Sequence, residues 1–195
     1  MARVWYRPVP TLLIRRRRPI GEPARLEGTA GAGRVVQALL DLGVPLHDVR
    51  QAVLDPDGPL EALDGVGAND AFAIVVLGSH LVNNPEAARR RAFLALAVRH
   101  LAPAGRLLVE HHPIDWAATA EPTRPTPGAT LGMVDVRRDP PFVSAVSVYD
   151  AGGRIVRQPF TARVLSEPEL DAAFAAAGCA RVARLGPTWL EARQR

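Results

Sequence analysis

Two short stretches of this 195-residue chain concentrate side chains able to do chemistry: Gly78, Ser79, His80 and Asn83 in one, Glu110, His111, His112, Asp115 and Trp116 in the other. An imidazole titrates near neutral pH, so His80, His111 or His112 could take a proton from a hydroxyl or amine as a general base. His80 and His112 are expected in that role, with Asn83, Glu110, His111 and Trp116 lining a substrate pocket. The plainer alternative is a polar pocket wall, with His80 making a helix-capping hydrogen bond. Glu110, His111, His112 and Asp115 are also metal-ligand types. On a strand, however, Glu110 and His112 project to one side and His111 to the other, so no metal site is expected. Every basic side chain is arginine, which removes lysine-based catalysis.

These residues need elements to hold them. Phe72 to Leu77 is a continuous apolar run with β-branched residues, the pattern of a strand buried on both faces of a parallel sheet. Asn84 then reads as a helix cap with Pro85 at the first position, and Phe93, Leu96, Ala97, His100 and Leu101 form one helical face. Ala104 and Gly105 turn the chain into a second buried strand, Arg106 to Glu110. Strand, helix, strand predicts two adjacent parallel strands, and open sheets of this kind take ligands at strand C-termini. Both reactive stretches lie at those ends.

Elsewhere the pattern gives helices over Val35 to Leu42, closed by Gly43, and over Leu46 to Leu54. Thr11 to Ile14 is either a strand or a tail cluster. Residues 117 to 130 are proline-rich and read as a loop; Phe142 to Tyr149 and Arg154 to Phe160 read as a hairpin. That loop and hairpin are expected to cover a pocket lined by His80, His112 and Trp116. Ser166 and Glu169 form a capping box for a helix ended by Gly178, and Arg181 to Leu185 with Thr188 to Ala192 make a closing hairpin. Trp5, Tyr6 and Trp189 are expected to pack in the core or at an edge.

Composition narrows the function class. Net charge is +4, but the first 34 residues hold eight arginines against Glu22 and Glu27, and the remainder nets −2. Basicity therefore belongs to an N-terminal arm, residues 1 to 25, and not to a nucleic-acid-binding face. One cysteine, Cys179, excludes an intramolecular disulfide. Neither a leader pattern nor an apolar run of membrane-spanning length appears, so a cytoplasmic protein without membrane contact, monomeric or homodimeric, is expected.

The stretches Phe-Ala-Ile-Val-Val-Leu-Gly-Ser-His-Leu-Val-Asn (72 to 83) and Leu-Ala-Pro-Ala-Gly-Arg-Leu-Leu-Val-Glu-His-His-Pro (101 to 113) closely resemble the central part of bacterial small-molecule S-adenosylmethionine-dependent methyltransferases. The likeness continues through Gln158 to Ser166 and Thr188 to Arg193. It implies the class I fold over residues 26 to 195: a Rossmann-like three-layer α/β sandwich, mostly parallel, with an antiparallel C-terminal edge. It implies S-adenosyl-L-methionine as cofactor and a small-molecule hydroxyl, amine or carbon as methyl acceptor. Glu27 to Gly33 resembles the family's glycine-rich cofactor turn, with Glu27, Gly31 and Gly33 matched and Thr29 where the first glycine belongs. Asp48 is the nearest counterpart of the ribose carboxylate, Glu61 falls in the segment that lies along adenine, and Leu77, Gly78 and Ser79 are the strand end expected at the cofactor. Ala73 replaces a family aspartate. A Cβ at Thr29 predicts weakened cofactor binding.

Two other readings compete. The missing glycine and shortened second strand also suit a methyltransferase scaffold that binds or cyclises a ligand without methylating it. Residues 35 to 54, as helix, glycine and short helix, resemble part of the DNA-binding domain of MerR-type regulators, although no recognition helix precedes them.

Overall fold

The structure, a computed structural model, describes residues 11–14, 49–52, 71–123, 131–151 and 154–195. In chain order the elements are β1 (Thr11–Ile14), β2 (Val49–Ala52), β3 (Phe72–Leu77), α1 (Ala87–Arg99), β4 (Leu101–Glu110), α2 (Trp116–Thr119), β5 (Leu131–Asp139), β6 (Phe142–Ala151), β7 (Arg154–Arg163), α3 (Glu167–Ala176), β8 (Cys179–Arg184) and β9 (Trp189–Gln194). A six-stranded sheet has the order β2-β1-β3-β4-β9-β8, and β5-β6-β7 form a separate three-stranded sheet.

The two apolar runs are neighbours, as their sequence requires. Strands β3 and β4 pair in parallel, with Ile74 opposite Arg106 and Leu77 opposite Val109. From Phe72–Leu101 to Ile74–Arg106 the register advances two residues on β3 and five on β4, so the chain loops out around Ala104, which has φ of 58°. Gly105 beside it is required: a Cβ there would stand 2.7 Å from the Ala102 carbonyl oxygen. The polar end of α1 begins later than the sequence suggests. Asn84 Oδ1 accepts the Glu86 N–H at 2.9 Å, an Asx turn that leads into a helix starting at Ala87.

Helix α1 lies on β3 and β4 and touches α3, which lies on β8. Their shared core holds Phe72, Val75, Leu77, Phe93, Leu94, Leu107, Leu170, Phe174 and Leu190, all buried. The capping box on α3 is present: Glu169 Oε2 accepts both the Ser166 N–H and its hydroxyl at 2.8 Å. Arg163 donates to the other oxygen at 2.6 Å. Ser166→Ala is expected to lower unfolding free energy by about 1 kcal/mol, read from the urea midpoint at unchanged slope.

Several expectations are corrected. Among the described strands only β3 with β4 is a parallel pair; β1 is antiparallel to both β2 and β3, and β9 to both β4 and β8. The reason is connectivity: a helical crossover joins β3 to β4, whereas a short turn joins β8 to β9 and must reverse the chain. Val49–Ala52 pairs with β1 as a strand, so the three- and four-residue spacing of Leu46 to Leu54 does not make a helix there; an available strand partner outweighs local periodicity. The regulator-like reading loses its second helix. The 142 to 160 hairpin is present, but with β5 it builds its own sheet instead of an edge of the main one. Expectations for residues 1 to 10, 15 to 48 and 53 to 70 lie outside the described residues.

Candidate functional site

The C-terminal ends of β3 and β4 are tied to each other by side chains. After Leu77 and Gly78, Ser79 and His80 both take left-handed backbone conformations, each with φ of 54°, before a 3₁₀ turn over Leu81–Asn83. Two consecutive non-glycine residues in this region cost about 1–2 kcal/mol each, and such strain persists where surrounding contacts enforce it. The enforcing contact is Glu110 at the end of β4, whose Oε2 accepts the Ser79 N–H at 2.6 Å. Its Oε1 stands 3.8 Å from His80 Nε2. His80 Nδ1 is buried and has no hydrogen-bond partner.

Three rings pile up at this corner. The His80 and His112 rings stack with centroids 3.8 Å apart and planes within 13°. His112 and Trp116 stack at 3.6 Å and within 4°. Trp116 opens α2 and also packs against the cluster of Ala117, Ala120, Val143 and Val164 that joins α2 to the small sheet. The stack therefore sits between the main sheet and the small one and brings His80, His112 and Trp116 together at one corner, with the 142 to 160 hairpin close by. Residues 124 to 130 of the expected cover lie outside the described residues.

Asn83 takes a position that sequence reasoning does not foresee, and His111, on the side that alternation gives it, has partners of its own instead of lining the stack. Asn83 is almost completely buried at 1% exposure. Its Oδ1 accepts the His112 N–H at 2.9 Å and its Nδ2 donates to the Arg163 carbonyl at 2.8 Å. Both ends of the amide are engaged by backbone, so it fixes His112 and anchors β7. His111, on the opposite side of the chain from Glu110 and His112, is buried, with Nδ1 2.8 Å from the His112 carbonyl and Nε2 3.2 Å from Arg184 Nη1. Arg184 is in turn paired with Glu167. The parts played by Arg163 and Arg184 had no signal in the sequence, the first being a backbone carbonyl and the second one arginine among many.

Burial sets the charge of these rings. His112, desolvated and beside His80 and His111, is pushed down to about 2. Burial also lowers His80, against the opposing pull of the Glu110 carboxylate and the His111 backbone. Burial lowers His111 as well, and the Arg184 guanidinium adds to the effect. A folded-state value below the unfolded 6.5 means that the unfolded chain binds more protons, so stability is full above pH 6.5 and falls as pH drops. Between pH 6.5 and 4.5 these histidines are expected to erode stability, His112 by at most about 1.4 kcal/mol per pH unit. Below that range the ion-paired carboxylates Glu167, Glu169 and Glu191, all held low by arginine or serine partners, add their own loss. Urea titrations across pH read both windows, and His112→Gln should flatten the upper one.

Among the described residues no cluster of His, Cys, Asp or Glu could hold a metal ion, and no helix is long and apolar enough to cross a membrane. Glu27, Thr29, Gly31, Gly33, Asp48 and Glu61 lie outside the described residues.

No family model matches the chain, and no curated protein matches it. Solved structures do. The CcbJ methyltransferase from Streptomyces caelestis superimposes with a TM-score of 0.56 at 21% identity, over 85% of this chain and 86% of that one. A S-adenosylmethionine-dependent methyltransferase from Clostridium acetobutylicum ATCC 824 superimposes with a TM-score of 0.52 at 9% identity, over 83% of this chain and 70% of that one. At these identities the likeness is one of fold: the chain has the α/β fold of class I S-adenosylmethionine-dependent methyltransferases.

Proposed function

We propose that this protein is a S-adenosylmethionine-dependent methyltransferase acting on a small-molecule hydroxyl, amine or carbon acceptor. The observation that carries the reading is the ring stack with its carboxylate at the C-terminal ends of β3 and β4, where open α/β sheets take their ligands, on a fold shared with methyltransferases. When bound, the cofactor supplies a methyl group on a sulfonium, already electrophilic, so the protein has only to align an acceptor and hold its proton.

The described part of the site fits such a cation. The stack presents the Glu110 carboxylate beside imidazoles that burial keeps neutral, and aromatic faces attract positive charge. In this reading Leu77, Gly78 and Ser79 face the cofactor, and Glu27, Thr29, Gly31, Gly33, Asp48 and Glu61 complete its site. His80 takes the acceptor's proton. His112, pushed down to about 2, is too weak a base for that step and serves as the wall that fixes the His80 plane.

Calorimetric titration with S-adenosylhomocysteine tests the reading. The unmodified protein is expected to bind weakly, and Thr29→Gly to bind roughly tenfold more tightly by removing a Cβ from a turn that favours positive φ. Asp48→Ala should weaken binding if Asp48 holds the ribose. Absence of binding in both the parent and Thr29→Gly would sink the methyltransferase reading in favour of a non-methylating scaffold.

A further inference from the structure

We propose that His111 is a positioning residue for the ring stack: a neutral imidazole protonated on Nδ1, clamped between the His112 carbonyl and the Arg184 guanidinium, which releases the His112 peptide when it takes a second proton. This deepens the methyltransferase reading, in which His112 is the wall behind His80, and rests on it for the reaction served, though not for the state of the clamp.

Both ring nitrogens of His111 have partners of fixed polarity, and these assign the proton. Nδ1 stands 2.8 Å from the His112 carbonyl oxygen, which can only accept, so the N–H is on Nδ1. Nε2 stands 3.2 Å from Arg184 Nη1, which can only donate, so Nε2 offers its lone pair. The opposite tautomer would set donor against donor and lone pair against lone pair, losing both bonds. In a buried ring that loss is costly.

The clamp reaches the stack through the main chain of His112. Asn83 Oδ1 accepts that residue's N–H at 2.9 Å and His111 Nδ1 donates to its carbonyl, so the backbone is held on both sides of the Cα that carries the stacked ring. Behind Arg184 stands Glu167 at the start of α3, whose carboxylate pairs with Arg184 and with Arg181; Asp171 holds Arg181 as well. Strand β8 and helix α3 are thereby linked to the face of His80.

A second proton, taken from solvent, reverses the contact with Arg184. Nε2 then carries an N–H toward a guanidinium that has only N–H groups, and two cations face each other at 3.2 Å. Arg184 on β8 and His80 past β3 oppose the new charge, while the His112 carbonyl and Glu167 on α3 favour it; His112, pushed down to about 2, stays neutral. Because Arg184 is held by Glu167, the imidazole is the partner that turns away. The His112 carbonyl loses its donor, and the stack loosens.

Spectra of the ligand-free full-length chain test this. With ¹⁵N-histidine labelling, long-range N–H correlations at about pH 8 should show His111 Nδ1 as pyrrole-like and Nε2 as pyridine-like, with His111→Asn identifying the signals. The His112 ring protons, enclosed by the His80 and Trp116 faces, should be shifted upfield by ring currents, and this shift should be lost with the same midpoint as the His111 titration when pH is lowered. Arg184→Met removes the opposing cation: the His111 midpoint should rise by about one pH unit, and the stack should now survive the titration, because the imidazolium keeps its Nδ1–H on the His112 carbonyl. An Nε2–H tautomer or an imidazolium at that starting pH in the parent would overturn the proposal. So would a stack that ignores the His111 titration, a stack lost in step with it in Arg184→Met, or loss of all native signals before His111 titrates, the patterns of a histidine that only packs. Should Arg184→Met fail to fold, the tautomer and the shared midpoint of the parent decide. No cofactor enters these spectra, so failure of S-adenosylhomocysteine binding would remove the methyltransferase reading and leave the clamp standing, and an Nε2–H tautomer would remove the clamp and leave that reading standing.

Discussion

His80→Ala is expected to lower kcat for methyl transfer by about 10²- to 10⁴-fold, the span that a positioned general base supplies, while S-adenosylhomocysteine affinity stays within about twofold. The asymmetry follows from geometry. The ring stands just past the end of β3 with its backbone held by Glu110 through Ser79, and that contact does not involve the ring, so the end of β3 proposed to face the cofactor is preserved. His112→Ala should cost about tenfold, because it removes the face against which His80 is stacked without removing the proton acceptor. In the parent, kcat should rise with pH through the His80 pKa and reach its plateau earlier than an ordinary imidazole would allow, since burial holds that value down. Single-turnover rates against pH, with both variants, would check all three statements. Turnover within twofold of the parent in both His80→Ala and His112→Ala would end the general-base proposal.

A comparably large effect is expected far from the site. Phe93 on α1 is completely buried among Phe72, Leu94, Leu107 and Phe174, side chains drawn from the main sheet and both of its helices. Phe93→Ala should lower the unfolding free energy by about 3–5 kcal/mol, combining lost transfer energy with a cavity that close packing cannot fully close. Against a total of roughly 5–15 kcal/mol for a domain, this endangers folding. Ile155→Ala is the control, since Ile155 is 58% exposed and should change stability by less than about 0.5 kcal/mol. Urea unfolding of the three proteins compares them directly, and equal midpoints for the parent and Phe93→Ala would refute the core assignment.

The centre of the fold was legible because it obeys local rules. Phe72 to Leu77 and Arg106 to Glu110 are short, apolar and joined by one helix, and a parallel pair is the arrangement such a crossover allows. The Ser166 box and the closing hairpin follow from turn and capping chemistry of the same kind. Where partners come from far along the chain, the pattern misled. Val49–Ala52 has helical spacing around it but finds β1, thirty-odd residues upstream. Leu131–Asp139 carries no plain strand alternation, since Asp135, at φ of 55°, lies where the register shifts between Val134 and Arg137. Within the site, strand-end logic brought His80, Glu110, His112 and Trp116 together, and alternation put His111 on the other side. It could not show that Asn83 is engaged at both ends, because its partners are backbone atoms that carry no residue-type signal.

The division of the apolar interior into two clusters has an evolutionary consequence. The one under α1 and α3 and the one formed by Ala117, Ala120, Val143 and Val164 have no residue in common. The two meet at few points, Val164 of the second beside Leu165 of the first and the Asn83 side chain on the Arg163 carbonyl, so changes in the interior of the second cluster reach the first through a narrow set of contacts. The stretch from Trp116 to Val164 thus carries a small core of its own in contiguous sequence, which selection can vary more freely than the larger core under α1 and α3.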